Sequence, residues 1–466
     1  MIKFGTDGWR GRIADDFTFE NVRVVSQALA DYLNSSEPED KTVIVGYDRR
    51  FLSEAFARTA VEVLAANGFR VRLFTCAVPT PQVSFRVLRD SACAGVVITA
   101  SHNPPEYNGF KIKAPFGGSA TTSQTAQIEA RLFQTSPVTM PFARALDLGF
   151  VELIEPAEDY LEHLGKQIDI ELIKRSECTL IVDSMHGTGN KWIEEILAGG
   201  RCRVITLRAE RDAFFGGVDP EPVEEHLTAL ANTVCRTRAL LGVATDGDAD
   251  RVAVIDDAGK YVNSHQLMSM LLLHLAEKRA LRGSVVKTFS QSVLIDRIAS
   301  DFGLPVRQTP IGFKYIAEYM LAEDVLIGGE ESGGIGICGH LPERDGIFNA
   351  LLLTEAVLVA GVPVSKYLET IWRRYGRMFY RRHDLHLNLE HMQVLLATVE
   401  TMQELAGEKV VAIEKLDGIK LWFADGSWLL LRASGTEPKL RLYCEATTEE
   451  KLTRILSAGQ KLVLQV

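Results

Sequence analysis

Four short segments of this chain gather hydroxyls, carboxylates and cations at spacings that a folded core does not require. The first, TASHNPPEYNGFKI (99–112), follows the apolar run AGVVI and sets Ser101 and His102 in a proline-stiffened loop, with Lys111 ten residues beyond the serine. The second, TDGDADR (245–251), carries Asp246, Asp248 and Asp250 at alternate positions and ends on Arg251. Alternate side chains of an extended loop share a side, so these carboxylates can converge on one hard cation, and without it they would repel one another. The third, GEESGG (329–334), offers Glu330 and Ser332 among glycines that let a ligand approach closely. The fourth, RASGTEPK (432–439), places Arg432, Ser434 and Thr436 around Gly435. A guanidinium, two hydroxyls and an inward-turning backbone suit a phosphate dianion.

Each segment also has a plainer reading: a solvated acidic turn at 246–250, a hairpin turn at 432–439, a simple glycine turn at 329–334, and an ordinary loop hydroxyl at Ser101. More specific alternatives fit poorly. An EF-hand calcium loop lacks its downstream glutamate and its preceding helix. A Ser–His–Asp hydrolase lacks the GxSxG elbow, and His102 is adjacent to Ser101, which is awkward for a general base. A phosphoacceptor serine fits better. Its phosphate oxygens could complete a cation site begun by the three aspartates, while His102 and Lys111 move protons or steady charge. Arg251, directly after the aspartates, suits a metal site that also meets a phosphate.

A repeated order of elements is expected to position these segments. The runs 41–48, 69–75 and 94–98 read as strands, with a helix over 53–68. The order recurs as strands at 178–183, 202–207 and 239–244 with a helix near 189–199, and again as strands at 283–289, 305–309 and 324–329 with a helix near 292–302. Gly68, Gly199 and Gly303 read as helix stops. Strands alternating with helices predict α/β units with largely parallel sheets, whose ligands gather at the carboxyl ends of strands. Each third strand opens into one of the chemical loops. The remainder reads as a smaller C-terminal α+β domain, with an arginine-rich run at its start, a helix over 391–405, strands over 420–434 and 439–446, and a last helix over 448–461. The predicted division is 1–150, 151–254, 255–372 and 373–466.

Composition narrows the function. The chain has 466 residues, 46% hydrophobic and 24% charged, enough for several cores, and a formal charge of −10 argues against general nucleic-acid binding. Seven scattered cysteines without a CxxC pair fit a reducing compartment rather than a disulfide framework. The start lacks the apolar core of a signal peptide, and the apolar stretch at 267–276 is too short to span a bilayer. The expectation is a soluble, cytoplasmic protein without a membrane or nucleic-acid partner, and a monomer.

Taken together, the four segments resemble the active-site loops of the α-D-phosphohexomutases, the phosphoglucomutase/phosphomannomutase superfamily. TASHNPPEYNGFK is similar to its phosphoserine loop, TDGDADR to its metal loop, GEESGG to its sugar loop, RASGTEPK to its phosphate loop, and GTDGWRG (5–11) to its N-terminal motif. The motifs stand in family order over essentially the whole chain. The resemblance implies three related α/β mixed-sheet domains and a smaller fourth around a central cleft. It implies an enzyme that interconverts hexose 1- and 6-phosphates through a 1,6-bisphosphate. Ser101 would be the phosphorylated serine. Asp246, Asp248 and Asp250 would hold Mg2+ with one phosphoserine oxygen. Arg10, His102, Lys111 and Arg251 would line the transfer site, Glu330 and Ser332 would grip sugar hydroxyls, and Arg432, Ser434, Gly435 and Thr436 would hold the non-reacting phosphate. In TPIGFK (309–314) Ile311 replaces a hydroxyl residue of some members, so only Gly312 and Lys314 carry over there. The GEESGG form is closer to glucose-using members than the GEMSGH form of dual glucose/mannose enzymes or the GEQSGH form of phosphoglucosamine mutases. A phosphomannomutase or dual enzyme, a phosphoglucosamine mutase, a phosphomonoesterase and a non-catalytic sugar-phosphate binder are the alternatives.

Overall fold

Each of the three repeated segments folds into a sheet with the same strand order. In the first unit, Thr42–Tyr47 runs parallel to Arg70–Phe74 on one side and to Ala94–Ile98 on the other, and Tyr107–Lys113 returns antiparallel to Ala94–Ile98. In the second, Thr179–Asp183 lies between Arg203–Leu207 and Leu241–Thr245, with Val252–Ile255 returning. In the third, Ser284–Thr288 lies between Val306–Thr309 and Val325–Gly329, with Ile335–Ile337 returning. These relations come from a computed structural model, which describes residues 2–5, 7–156, 158–387, 389–433 and 439–464. Central strands such as Thr42–Tyr47 are buried throughout, as expected where helices cover both faces of a parallel sheet. The antiparallel return strands are not apparent from hydrophobic runs, yet they have a large effect. They turn each chemical loop into a short hairpin turn pinned at both ends.

The sheets extend past the expected divisions. Trp9–Arg12 pairs with Tyr107–Lys113 and sets Arg10 opposite Gly109. Val151–Ile154 adds to the first sheet beyond residue 150, alongside Arg70–Phe74, and Tyr261–Val262 adds to the second beyond residue 254. Helix Val364–Tyr375 crosses residue 372, because Val364, Tyr367, Leu368 and Ile371 form one apolar face in the core shared by the second and third units. The arginine-rich run starts on the last turn of this helix. The helix expected near 189–199 shortens to Trp192–Ile196, since the residues before it turn against the second unit's chemical loop. Gly68, Gly199 and Gly303 take φ of 86°, 76° and 65°, the left-handed conformation of a helix stop.

The fourth unit is an all-antiparallel sheet, in the order Phe379–His386, Lys439–Ala446, Trp428–Ala433, Ile419–Phe423, Glu408–Glu414 and Glu404–Leu405. Helices Leu389–Val399 and Glu449–Leu464 cover it. The helix expected to reach 405 stops at Val399, and Glu404–Leu405 becomes an edge strand that turns through Ala406 and Gly407 into Glu408–Glu414. Among the described residues no single helix is long and apolar enough to cross a membrane.

This unit docks on the third through Met378, Trp428, Leu430 and Tyr443, which pack against Phe289 and Val293. The Glu445 carboxylate accepts from the Val293 backbone and from the Trp428 indole, each at 3.0 Å, and so caps a helix across the junction. Lys420 is buried in the same place, with its ammonium 4.7, 4.8 and 4.2 Å from the ring centres of Phe289, Trp422 and Trp428. Burial, reinforced by Lys287, pushes its pKa down to about 7, and Glu414, Glu445 and Asp296 counter this only in part. An unfolded lysine titrates near about 10.4. Below about 7 both states are charged and the folded state bears the full cost of burying the ammonium; above it that cost fades as the folded amine neutralises. Lys420→Met should therefore melt higher than the parent at about pH 6, and the gap should narrow toward about pH 10. Scanning fluorimetry across that range checks this, and a gap independent of pH would clear the amine of responsibility.

Candidate active site

The serine loop is shaped by a buried arginine. Ser101 is 1% exposed and holds φ at 55°, a strained value for a non-glycine residue. Arg50, just beyond Thr42–Tyr47, supplies the restraint. Its guanidinium donates to the carbonyls of Ser101, Asn103, Pro104 and Tyr107 at 2.8, 2.6, 2.7 and 3.1 Å. Its Nε donates to Asp48 Oδ2 at 3.1 Å. This uses the full fork of donors that only arginine offers.

The aspartate loop meets the serine loop backbone to backbone. A Cβ at Gly247 would lie 2.4 Å from the Ser101 carbonyl oxygen, so a glycine is required for the approach. Asp246, Asp248 and Asp250 are all fully buried, and one carboxylate oxygen from each lies within 4.8 Å of the others. Ser101 Oγ donates to Asp246 Oδ2 at 2.7 Å. Lys111 Nζ, on the return strand, lies 2.8 Å from Asp248 Oδ2, 2.9 Å from Asp250 Oδ2 and 2.7 Å from Asp7 Oδ2. Thr80 Oγ1 also donates to Asp248 Oδ2, at 2.6 Å. Oδ1 of Asp248 and Oδ1 of Asp250 are buried and have no hydrogen-bond partner. Orphaned carboxylate oxygens in a converging all-oxygen set are what a hard divalent cation satisfies, so these residues fit Mg2+.

The charges are strongly coupled. Burial, with Asp250 and Asp248 beside it, raises the Asp246 pKa well above the usual carboxylate range. Burial alone would raise Asp248 too, but Lys111 overrides it and lowers the pKa. Asp7 behaves likewise: burial is outweighed by Lys111, Lys113 and Arg344. Lys111 gains from Asp248, Asp250 and Asp7 more than burial costs it and stays protonated. Around this core stands a rim of cations. Arg10 donates to Asn103 Oδ1 at 2.6 Å, and the Arg251 backbone N–H donates to Asp246 Oδ1 at 3.1 Å. His102 Nδ1 is 3.4 Å from Ser101 Oγ. Burial, then Arg251, Arg10, Lys111 and Arg50, hold the imidazole well below its usual pKa, and so neutral.

Glu330 joins this cluster through Arg344, whose guanidinium lies 3.7 Å from Glu330 Oε2 and 2.7 Å from Asp250 Oδ2 and also pairs with Asp7. Ser332 is half-buried in the same turn. Its neighbour Glu331 reaches the other way, 3.5 Å from Arg382 of the fourth unit. Lys314 lines a small cavity with Asp7, Gly8 and Ser119 of the first unit. Gly312 takes φ of 142° at the start of helix Phe313–Ala322. Arg432 is tied to this loop by Asp417, whose Oδ2 lies 2.9 Å from Arg432 Nε and accepts from the Ile311 backbone N–H at 2.8 Å. Ser434, Gly435 and Thr436 lie outside the described residues.

The loop residues Ser101, His102, Asp246, Asp248, Asp250 and Arg251 thus come together with Arg10 and Lys111, and Glu330 borders them. Asp7, Arg50, Thr80, Arg344 and Asp417 were not singled out from sequence. Arg50 had a usable signal: it follows a first strand, at the same carboxyl end of the sheet that hosts the chemical loops.

Three copies of one α/β unit turn their hairpins onto a shared charged cleft, with a fourth unit docked beside them, and so define a four-unit α/β protein. The chain matches the phosphoglucomutase/phosphomannomutase domains: alpha/beta/alpha domain I over residues 1–138, domain II over 158–259, domain III over 263–375 and the C-terminal domain over 392–458. It is 32% identical over 99% of its length to a Thermococcus kodakarensis protein named phosphoglucomutase/phosphomannomutase, covering 98% of that protein. It is 33% identical, over 96% of its length and 94% of the relative's, to a Methanothermobacter thermautotrophicus protein carrying the name phosphoglucosamine mutase. A Thermus thermophilus crystal structure carrying the name phosphomannomutase superposes with a TM-score of 0.88 at 35% identity, covering 99% of each chain. The chain belongs to the phosphoglucomutase/phosphomannomutase family, whose members are phosphohexomutases, a class of isomerase.

The Arg50 clamp yields a direct test. Arg50→Met leaves Asp48 and four carbonyls without their partner, and breaking a buried pair this way costs about 3–5 kcal/mol. Arg50→Lys keeps the charge but loses the fork, so it should fall between parent and Met variant in urea unfolding and lose turnover as well. If the lysine variant equals the parent in both respects, the fork is not what shapes the serine loop.

Proposed function

We propose that this enzyme interconverts glucose 1-phosphate and glucose 6-phosphate through phosphorylated Ser101 and a glucose 1,6-bisphosphate intermediate. The observation that carries the chemistry is Ser101 Oγ, 2.7 Å from Asp246 at the edge of a buried carboxylate trio. Mg2+ held there by Asp246, Asp248, Asp250 and an oxygen on Ser101 would neutralise charge on the transferring phosphoryl group. The side chains do the rest. Lys111 is a fixed positive charge. Neutral His102, 3.4 Å from Ser101 Oγ, would take the proton of the attacking sugar hydroxyl. Arg10 and Arg251 meet the phosphate oxygens. Phosphoserine gives its phosphoryl group to the free hydroxyl of the hexose phosphate, the bisphosphate reorients within the cleft, and its other phosphoryl group returns to Ser101. Arg432, Ser434, Gly435 and Thr436 hold whichever phosphate is not reacting, with Gly312 and Lys314 alongside, and Glu330 and Ser332 bind sugar hydroxyls.

The GEESGG form of the sugar loop, closer to glucose-using members, is what favours glucose. Its last glycine, Gly334, has no room for a side chain, since a Cβ there would lie 2.3 Å from Arg344 Cδ. The names phosphoglucosamine mutase and phosphomannomutase supply the competing reading, beside a relative named phosphoglucomutase/phosphomannomutase. Glucose, mannose and glucosamine 1-phosphates should be assayed side by side with Mg2+ and a trace of the matching bisphosphate. Glucose 1-phosphate should give the highest kcat/KM; preference for another hexose overturns the assignment, and release of free phosphate would mark a phosphomonoesterase.

Ser101→Ala should fold normally yet lose net turnover, and mass spectrometry should place a phosphate on Ser101 in the active parent. Near-normal turnover by the alanine variant would remove Ser101 from the mechanism. Arg432→Ala removes a charge-assisted contact of about 1.5–3 kcal/mol, roughly a ten- to hundred-fold loss in kcat/KM. The loss should be similar from either substrate end, since one site serves both phosphates. A loss confined to one direction in steady-state kinetics would end the shared-site account.

A further inference from the structure

Away from the cleft, two thiols meet on adjacent strands of the second unit. Cys178 and Cys202 immediately precede Thr179–Asp183 and Arg203–Leu207, and the parallel ladder extends to them, since the Arg203 N–H donates to the Cys178 carbonyl at 2.9 Å. Their Sγ atoms share a hydrogen bond at 3.4 Å. Cys178 is partly exposed, and Cys202 is buried behind it. The hydrogen bond shared with Cys202 lowers the Cys178 pKa, while the same contact and burial raise that of Cys202. The pair therefore combines a reachable thiol with a shielded partner whose sulfur already touches it.

We infer that Cys178 and Cys202 form an oxidisable dithiol, a modification site that a hydroperoxide converts to a disulfide. The Cys178 thiolate attacks the terminal peroxide oxygen. The O–O bond breaks, the S–O bond forms, and the departing oxygen takes the thiol's proton and leaves as an alcohol, or as water if the oxidant is hydrogen peroxide. Cys202 sulfur then attacks the sulfenic sulfur, the S–S bond forms, and the hydroxyl leaves as water with the Cys202 proton. Two thiols give up two electrons, and one peroxide accepts them.

The bond closes the chain between residues 178 and 202, a stretch that contains the turn bracing the aspartate loop. In that turn Thr188 N–H donates to the Gly247 carbonyl at 3.0 Å, and a Cβ on Gly187 would lie 2.7 Å from the same oxygen. The cysteines stand at the amino ends of their strands and that turn follows the carboxyl end of the first, so the disulfide lies away from the cleft. Constraining the unfolded chain in this way stabilises the closed segment.

The test uses the full chain, reduced and then exposed to hydrogen peroxide, with remaining thiols blocked before peptide mapping. A peptide joining Cys178 to Cys202, lighter by two hydrogens and released by dithiothreitol, is expected, along with a melting temperature above that of the reduced protein. In Cys202→Ser, Cys178 should stop at a sulfenic acid that dimedone traps; in Cys178→Ser, Cys202 should remain reduced. Exposed Cys76 and Cys235 serve as internal controls that react without forming this link. Direct passage of Cys178 to a sulfinic acid while Cys202 is present would overturn the inference. So would a link to a different cysteine, or equal oxidation of Cys202 in the Cys178→Ser variant.

Discussion

A single buried ammonium makes the rest of the cleft possible. Asp248 and Asp250 are fully buried and Asp7 nearly so, all within 3 Å of Lys111 Nζ, and no such group stays ionised in a protein interior without a partner. Because Asp7 and the two loop aspartates come from different units, the same charge that neutralises them also joins those units. Arg344 repeats the arrangement from the third unit, pairing with Asp7, Asp250 and Glu330, and Lys113 closes it by pairing with Glu343 at 2.6 Å. The first unit is thus tied to the second and third by alternating charges, while the second and third also share an apolar core. The fourth is attached differently, by an aromatic and aliphatic patch and by a few polar contacts at its edge. Ionic contacts fix the geometry at the centre, whereas the junction to the fourth unit rests on apolar packing and a buried helix cap.

This division explains how much was visible in the sequence. The repeated strands and helices were legible because buried parallel strands are continuous apolar runs bounded by glycine stops, as at 41–48 and 94–98. The return strands were not. Tyr107–Lys113 reads YNGFKIK, with two lysines that look like solvent-facing residues, yet Lys111 and Lys113 are buried because carboxylates distant in sequence await them. Val151–Ile154 and Tyr261–Val262 were missed as parts of the earlier sheets because edge strands are short and carry weak periodicity.

The site divides along the same line. Ser101, His102 and the three aspartates announce themselves, since a dense local motif has few structural uses. Asp7 lies within the N-terminal motif and Arg50 at a strand's carboxyl end, yet like Arg344 they acquire their contacts through partners 50 to more than 300 residues away. Arg50 acts on backbone carbonyls, which leave no mark on the sequence at all. Asp417 shows the same limit: it lies in an unremarkable turn, and only folding brings Arg432 and the Ile311 amide to one of its oxygens.

The placement of the chemical loops as hairpin turns has a consequence for how such a scaffold diversifies. A turn at the end of a sheet can change its side chains without disturbing strand register or the covering helices. In this chain Ser101, the three aspartates, and Glu330 with Ser332 are carried by separate turns on separate copies of one unit. On the function proposed above, a mutation that redirects hexose choice would be confined to the third copy and would leave the transfer chemistry of the first two as it was. Relatives a third identical to this chain, bearing the names of different sugars on one architecture, are what such modular separation would produce.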